Sequence, residues 1–529
     1  MEKRAFLAIF LSTLVFIFYQ YYYLSTIDTG KIKSVQGKKD EKTIVTPGIK
    51  NIIPGVEEDN KEVERIVKER EIRINTKLTE IVLTNRGGKI KTLFLQRYKG
   101  KDGRPVNLIK ETEDKHLPIM LEFMDKSFSH TINTALFNVA DTEDMISLSP
   151  EKESSTIKFF YEDSSGVKVS KEYTFHYDDY KIDINIRIDG TPRMGVSPYQ
   201  VLWGSGLKSE GNSDKHSYEG PTSFIDRRLV SDKLKGKGEQ VYHEGDIYWV
   251  AIQNKYFIAA LIPLMKENLK TIVKGSERDD ISAGIEYASM NERVDNRLIL
   301  YAGPKDGERL KSYNVSLEEI INYGWFDLLA KPLFKILKLL YTFTHNYGIA
   351  IIILTVIIKL IFFPLSQKSF RSMQKIQRIQ PELKIIQERY KNDRQKMSEE
   401  LMRLYRENKI NPLGGFLPII IQIPVFIALY KVLMGSIELR QVPFILWIKD
   451  LSDKDPYYIT PILMGVTMLI QQKMTPSGGD PVQAKIMLIT PVIFTFMFLN
   501  FPSGLVLYWL VNNILSIAQQ YVINKEIKK

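Results

Sequence analysis

The chain has no cysteine and only six histidines in 529 residues. Disulfides and thiol chemistry are thereby excluded, and a domain outside the cytoplasm has to fold on core burial alone, which requires a large one. The histidines are scattered, so neither a metal site nor a metal cofactor is expected. No P-loop pattern occurs, which removes nucleotide-driven work. The apolar runs of the C-terminal part contain no Asp or Glu, and the membrane part has His345 alone. A metalloprotease, a carboxylate proton relay and a Ser/His dyad therefore find no residues there. No catalytic constellation and no cofactor are expected.

What the chain does contain is strongly segregated. Most apolar residues lie at the two ends, while the long middle is rich in Lys, Glu, Asp and Ser. The net charge of +11 gathers beside the hydrophobic runs. There it sets topology and meets anionic lipid or ribosomal RNA, and no specific nucleic-acid site is indicated.

Lys3 and Arg4 precede Ala5 to Tyr19, followed by Tyr21 to Tyr23, which fits a first span ending in an aromatic belt. The apolar run is long for a signal peptide and lacks a small-x-small cleavage site, so residues 1–24 are predicted to be a retained anchor, with a cleaved signal as the alternative. Residues 25–70, polar and Lys/Glu-rich with Pro47 and Pro54, read as a flexible tether. Over 71–320 the period changes to two: Ile182, Ile184, Ile186 and Ile188 alternate with Lys181, Asp183, Asn185 and Arg187. Similar runs at Glu80 to Leu95 around the turn-like Asn85-Arg86-Gly87-Gly88, Thr156 to Tyr161, Tyr248 to Pro263 and Arg297 to Ala302 predict a large antiparallel β-sandwich of roughly 240 residues. Residues 321–346 carry Lys331, Lys335 and Lys338 on one face of an otherwise apolar helix, a pattern suited to the membrane interface.

Residues 347–529 read as five further spans, about Tyr347 to Leu365, Phe416 to Met434, Tyr457 to Gln472, Ile486 to Phe501 and Leu505 to Val522. With the anchor this makes six. Basic residues fall on one side if the spans alternate, placing both termini in the cytoplasm and the sandwich in the periplasm. Between the second and third spans, residues 367–411 carry Ile376, Ile379, Leu383, Ile386 and Tyr390, then Met397, Leu401, Leu404 and Asn408, spaced by threes and fours. That predicts a cytoplasmic antiparallel helical hairpin, with Pro381 kinking or restarting its first helix. Its outer faces carry Arg371, Lys375, Arg378, Arg394 and Arg403, a solvated and topology-setting face that also suits recruitment of lipid, ribosome or a targeting factor.

Lys359 stands out inside the run Gly348 to Phe363. An ammonium at helix centre costs roughly 2.5 to 3.5 kcal/mol on insertion scales, so it requires a partner, a wet cavity or a route to the interface. Thr355 lies one turn back, Gln422 sits within the third span, and the last span carries Tyr508, Trp509, Asn512, Asn513, Ser516, Gln519 and Gln520. Several helices presenting polar groups suggest a shared wet interior. Snorkelling remains open for Lys359, which lies about 7 Å before Pro364 along the helix, as do interhelical bonding for Thr355 and Asn512 and an aromatic belt for Tyr508 and Trp509.

Asn411-Pro412-Leu413-Gly414-Gly415 runs into Leu417-Pro418-Ile419-Ile420-Ile421-Gln422-Ile423-Pro424. Leu446-Trp447-Ile448-Lys449-Asp450-Leu451, Asp455-Pro456-Tyr457-Tyr458, Pro461 to Thr467 and Phe501-Pro502-Ser503-Gly504-Leu505-Val506-Leu507-Tyr508-Trp509 follow. Together these segments resemble the YidC-type membrane protein insertases, the family that includes the mitochondrial Oxa and chloroplast Alb proteins. The resemblance covers essentially the whole chain and its long, Gram-negative-type form. It implies a polytopic α-helical inner-membrane protein of six transmembrane helices with an inserted all-β periplasmic supersandwich and a cytoplasmic helical hairpin. It further implies a hydrophilic groove, open to cytoplasm and lipid, that inserts and helps fold newly made inner-membrane proteins. The implied partners are nascent inner-membrane proteins, the Sec translocon, a ribosome or targeting factor, and membrane lipids.

The groove residues expected are Lys359, Thr355, Gln422, Tyr508, Trp509 and Asn512. The family usually has arginine at the Lys359 position and often tyrosine at Trp509. Lysine keeps the charge but not the bidentate fork. A transporter, or a carbohydrate-active enzyme carried by the sandwich, is the competing class.

Overall fold

The computed structural model describes residues 68–110, 116–140, 143–164, 166–190, 198–204, 206–208, 218–234, 238–275, 281–288, 293–410, 417–474 and 481–528. The expected anchor at 1–24, the tether as far as residue 67 and the stop at Asn411 to Gly415 lie outside them. The chain divides into two compact units between Ile320 and Ile321.

The first unit is built on a nine-stranded sheet and two five-stranded sheets. At the heart of the large sheet, Lys181–Asp189 pairs antiparallel with Lys168–His176 on one side and Arg293–Pro304 on the other. Its four isoleucines turn inward and its polar residues outward, as period-two alternation requires. Burying each isoleucine is worth about 1.5 to 3 kcal/mol.

Two features depart from the expected antiparallel all-β unit. Strand Glu71–Asn75 pairs parallel with Met145–Ser147, and a helix, α1 (Lys126–Thr134), lies between them in sequence, capped by the Asp125 carboxylate on Ser127 N and Phe128 N. A parallel neighbour needs a long crossover, and alternation within a three-residue strand carries no sign of its direction. A second short helix, α2 (Gly307–Ser312), is capped by Asp306 in the same way.

The turn read at Asn85 to Gly88 joins strands Thr79–Thr84 and Lys89–Lys99. Gly87 has φ +72°, and a Cβ there would sit 2.6 Å from Asn133 O, so only glycine fits. The carbonyls of this turn are taken by the sheet behind it. Lys171 Nζ donates to Gly87 O (2.8 Å) and to Ile119 O (2.7 Å), and Tyr173 Oη donates to Gly88 O (2.6 Å). Lys171 is completely buried. Desolvation, with repulsion from Lys89, pushes its pKa well below the usual lysine range.

The second unit is helical: α3 (Asp327–Thr344), α4 (Tyr347–Ile361), α5 (Phe363–Arg378), α6 (Gln380–Arg389), α7 (Arg394–Glu407), α8 (Leu417–Gly435), α9 (Ile459–Met474), α10 (Pro481–Phe498) and α11 (Ser503–Lys528). One core joins Ala330 and Leu337 of α3, Ile351 and Leu354 of α4, Ala428 and Val432 of α8, Met464 of α9, Phe498 of α10 and Leu505 of α11. Helix α3 also leaves Leu328, Leu339 and Phe343 exposed, with Trp325 exposed just before it, so apolar side chains remain on the side away from the core.

The expected unbroken span Tyr347 to Leu365 is corrected. It breaks at Phe362, and α4 and α5 meet at 62°. Pro364 in the first turn of α5 has no N–H for the preceding turn and clashes with it, which ends α4. No single described helix is long and apolar enough to cross a membrane. The bent pair α4 and α5 reaches that measure only together.

Candidate functional site

The break at Phe362 decides the environment of Lys359. It stands in the last turn of α4, not at helix centre, where the free carbonyl end of the helix favours a cation. Its Nζ donates to Ser516 Oγ of α11 at 2.6 Å, and Ser516 Oγ in turn donates to Asn512 O at 2.8 Å. The ammonium is thus turned into the helical unit. Among the described residues no acidic group pairs with it.

Helix α11 presents Asn512, Ser516 and Gln519 at spacings of four and three, hence on one stripe, and all three are buried. Gln519 Nε2 reaches Phe363 O at 3.4 Å, just past the break. Further along, Gln374 Nε2 of α5 donates to Asn524 Oδ1 at 2.5 Å. On a neighbouring face Asn513 Nδ2 contacts Met464 O (3.4 Å) and Thr467 Oγ1 (3.3 Å) of α9. Polar residues of α11 therefore contact both α9 and the bent α4/α5 pair.

Other members of the predicted set are distributed differently. Thr355 is buried, and its hydroxyl donates to Ile351 O of its own helix at 2.6 Å. That bond satisfies its proton locally, so towards neighbouring groups its hydroxyl is an acceptor only. Tyr508 and Trp509 do not line one surface, because neighbours on a helix point about 100° apart. Tyr508 is 1% exposed. Gln422 lies beside its hydroxyl, which makes no hydrogen bond of ordinary geometry. Trp509 instead enters an aromatic cluster, with ring centroids 4.7 Å from Phe426, 5.4 Å from Phe498 and 6.0 Å from Phe494. It bonds α8, α10 and α11 together as packing.

Two polar centres were not anticipated. Lys431 Nζ of α8 donates to Tyr323 O at 2.7 Å, while Asp327 Oδ1 accepts from Tyr323 N at 2.7 Å and Lys331 lies 3.0 Å from Asp327. Its signal, a lysine in an apolar run, was the same as that of Lys359. Asp455 is 0% exposed. Its oxygens accept from Tyr457 N (2.9 Å), Thr460 N (2.8 Å), Thr460 Oγ1 (2.6 Å) and Trp447 Nε1 (3.3 Å). Burial raises the pKa of this carboxyl, but the bonds from Thr460, Tyr457 and Trp447 outweigh it and leave the group below its usual value. Ser503 N and Oγ both donate to Asp453 O at 2.8 Å, and Gly504 N donates to Leu451 O. The loop before α9 is thereby laced to the start of α11.

Helices α6 and α7 share a separate cluster of Ile379, Leu383, Leu401, Leu404, Tyr405 and Ile410, flanked by Ile376, Ile386 and Met397. Tyr390 and Asn408, expected in the seam, are outside it. Lys396 lies over the Tyr390 ring at 5.8 Å, and Asn408 Nδ2 caps Leu404 O at 2.9 Å. Pro381 stands in the first turn of α6, a restart rather than a kink. Arg371, Lys375 and Arg378 are exposed on α5. Arg394 opens α7. Arg403 is held by Glu400 (2.6 Å) and Glu407 (3.4 Å) of its own helix, so its charge is largely compensated.

Residues 339–529 match the family described as 60Kd inner membrane protein, and residues 71–336 match the YidC periplasmic domain. The chain belongs to the YidC family. A Membrane protein insertase YidC from Syntrophus aciditrophicus (strain SB) is 40% identical over 99% of this chain and 100% of its own length. One from Geotalea uraniireducens (strain Rf4) is 39% identical over the whole of both chains. An active YidC insertase crystal structure with the first transmembrane domain resolved has 20% identity and a TM-score of 0.38, over 86% of this chain and 93% of the other. Members of the YidC family are inner membrane proteins, and the sandwich is the periplasmic domain of this one.

Proposed function

We propose that this chain inserts newly synthesised proteins into the inner membrane and helps them fold, through a hydrophilic groove among helices α4, α5, α8, α9 and α11. The observation that carries the mechanism is the Lys359 ammonium, turned inward onto Ser516 in a helix whose other residues from Ile349 to Phe362 are apolar except Thr355. A wet interior that ends part way through the bilayer shortens the hydrocarbon distance a polar tail must cross. The apolar outer faces of α9 and α10, with Ile462, Val466, Ile493 and Phe496 exposed, let the client helix leave into lipid. No nucleotide, metal or catalytic residue takes part, and we read the protein as a non-enzyme.

In this reading the chain crosses the membrane six times, with both termini in the cytoplasm. The anchor supplies the first crossing, the bent α4 with the start of α5 the second, and α8 to α11 the rest. Lys359 attracts acidic residues of the client tail, Gln422 and Asn512 wet the groove, Thr355 contributes an acceptor, and Tyr508 and Trp509 support it by packing in different directions behind it. The α6/α7 hairpin lies on the cytoplasmic side, where Arg371, Lys375, Arg378, Arg394 and, more weakly, Arg403 recruit a ribosome or targeting factor. Large clients pass jointly with the Sec translocon.

The test is insertion of a matched pair of single-span clients, one with an acidic and one with a neutral translocated tail, into vesicles holding equal amounts of each variant. Lys359→Arg should preserve activity and Lys359→Ala should weaken it for the acidic tail. Lys359→Glu should damage that client most, since reversal turns an attraction of about 1 to 4 kcal/mol into comparable repulsion. Equal insertion of both clients by Lys359→Ala would return Lys359 to a snorkelling role. Deleting the sandwich from about Val82 to Lys305 should leave a short client inserting.

A further inference from the structure

We propose that Ser516 is the positioning residue of the groove: it holds the Lys359 ammonium inside the helical unit and leaves it two free N–H donors for a client carboxylate. The inference rests on the groove reading above. An ammonium carries three donors and no acceptor. One is spent on Ser516 Oγ at 2.6 Å, and no other partner of Nζ occurs among the described residues.

Ser516 suits this role because its own proton is already committed to Asn512 O at 2.8 Å. Its oxygen is therefore left to accept, and its rotamer is fixed by a bond along its own helix. With Ser516 3% exposed, the lysine tip is drawn to the inner stripe of α11. Without that acceptor the flexible four-carbon stem is free to swing, and the nearest relief for the charge is the headgroup layer beyond the break at Phe362.

The arrangement also predicts which ligand fits. A hydroxyl acceptor is neutral, so it orients the charge without cancelling it, whereas an Asp or Glu at position 516 would neutralise it. An entering carboxylate meets an oriented, uncompensated cation and can add charge-assisted bonds without displacing the serine. Neutral polar tails gain far less from the same site. Ser516 thus sets specificity for acidic over neutral tails, while Lys359 supplies the charge.

The experiment uses the full-length chain in native membranes with Ser516→Ala, Ser516→Thr and Lys359→Ala. Two quantities are read: labelling of the Lys359-bearing peptide by a water-soluble amine reagent, quantified by mass spectrometry, and the insertion ratio of acidic-tailed to neutral-tailed clients. Ser516→Ala is expected to raise Lys359 labelling and lower the insertion ratio, each by about tenfold, the size expected for losing one charge-assisted bond. Ser516→Thr restores both, because its hydroxyl makes the same bonds. A purely structural serine would lower insertion of both clients together and leave their ratio unchanged.

Unchanged labelling in Ser516→Ala overturns the proposal, whatever insertion does. Raised labelling with an unchanged insertion ratio also overturns it if Lys359→Ala collapses the ratio. If Lys359→Ala leaves the ratio unchanged too, the groove reading fails and takes this inference with it.

Discussion

Each unit of this protein turns a lysine inward, and the two are treated in opposite ways. In the sandwich, Lys171 is completely enclosed and clamped by two backbone carbonyls, Gly87 O and Ile119 O. In the helical unit, Lys359 keeps part of its surface open and is held by a single hydroxyl, Ser516 Oγ. In the reading proposed above, the difference separates a structural lysine from one available to a ligand. Donors taken by fixed backbone acceptors rigidify a turn, whereas donors left over are able to serve a ligand. The surfaces differ in the same sense. The sandwich turns its isoleucines inward and shows water its charges, whereas α9 and α10 show Ile462, Ile489, Ile493 and Phe496 to their surroundings, as helices in lipid do.

The sharpest way to break this comparison is to replace both lysines by methionine. Lys171→Met orphans two buried carbonyls and should lower the stability of the sandwich by about 2 to 4 kcal/mol. Lys359→Met should leave the helical unit's stability within about 0.5 kcal/mol while removing the preference for acidic clients. Hydrogen exchange of the full chain in detergent, read separately over the two units, checks both halves. Equal losses in the two units would mean that Lys359 is as structural as Lys171.

A smaller effect is expected at Asp455, the helical unit's own fully satisfied charge. Asp455→Ala should lower protection of the first turn of α9 by about 2 kcal/mol, since it removes a cap and strands several donors. Because the folded carboxyl lies below its unfolded value, its stabilisation is present above the ordinary carboxylate range. It is lost only as pH falls through the lower folded value. Exchange in that turn at neutral pH and at strongly acid pH tests the sign.

Lys305 provides a gentler comparison within the sandwich. Its Nζ donates to Gln253 Oε1 at 2.8 Å. Burial lowers its pKa to about 7, outweighing the pull of Glu219, although part of the residue's surface still reaches solvent. From about pH 7 up to the ordinary lysine value the unfolded chain binds a proton that the folded one does not, so stability rises with pH across that window. The sandwich should unfold at a higher temperature at pH 9 than at pH 6.5, and Lys305→Met should flatten the slope. A steeper rise in the variant would reverse the assignment.

The smallest effect concerns the hairpin. Arg403→Ala should change ribosome association less than Lys375→Ala does, because Glu400 and Glu407 already compensate Arg403 while Lys375 is exposed. Co-sedimentation with ribosomes at low salt, where surface charge counts most, measures the difference.

Much of this was legible in the sequence. Segregated apolar runs, the alternation over 181–189, the glycine turn at 87–88, the restart at Pro381 and the oddity of one lysine among isoleucines are all set by local periodicity or by what a single residue can and cannot do. Local rules were also enough to group Lys359 with the polar residues of the last helix. They did not decide which contacts these residues make. Whether Thr355 faces a groove or its own backbone, whether Tyr508 and Trp509 share a wall, and whether Arg403 is free or paired depend on rotation and on neighbours far away in the chain.

The same holds for the parallel strand at Met145–Ser147 and for Asp455, whose partners lie partly across a loop. The break at Phe362 falls between the two cases. Pro364 is its local cause, although the apolar run reads as one span continuing through it, and only the packed structure shows that the break leaves Lys359 at a helix end, within reach of a hydroxyl 157 residues away. Sequence spacing fixes what lies on one face of one element. A hydrogen bond between elements depends on their relative rotation and separation, which only the packing of the whole unit supplies.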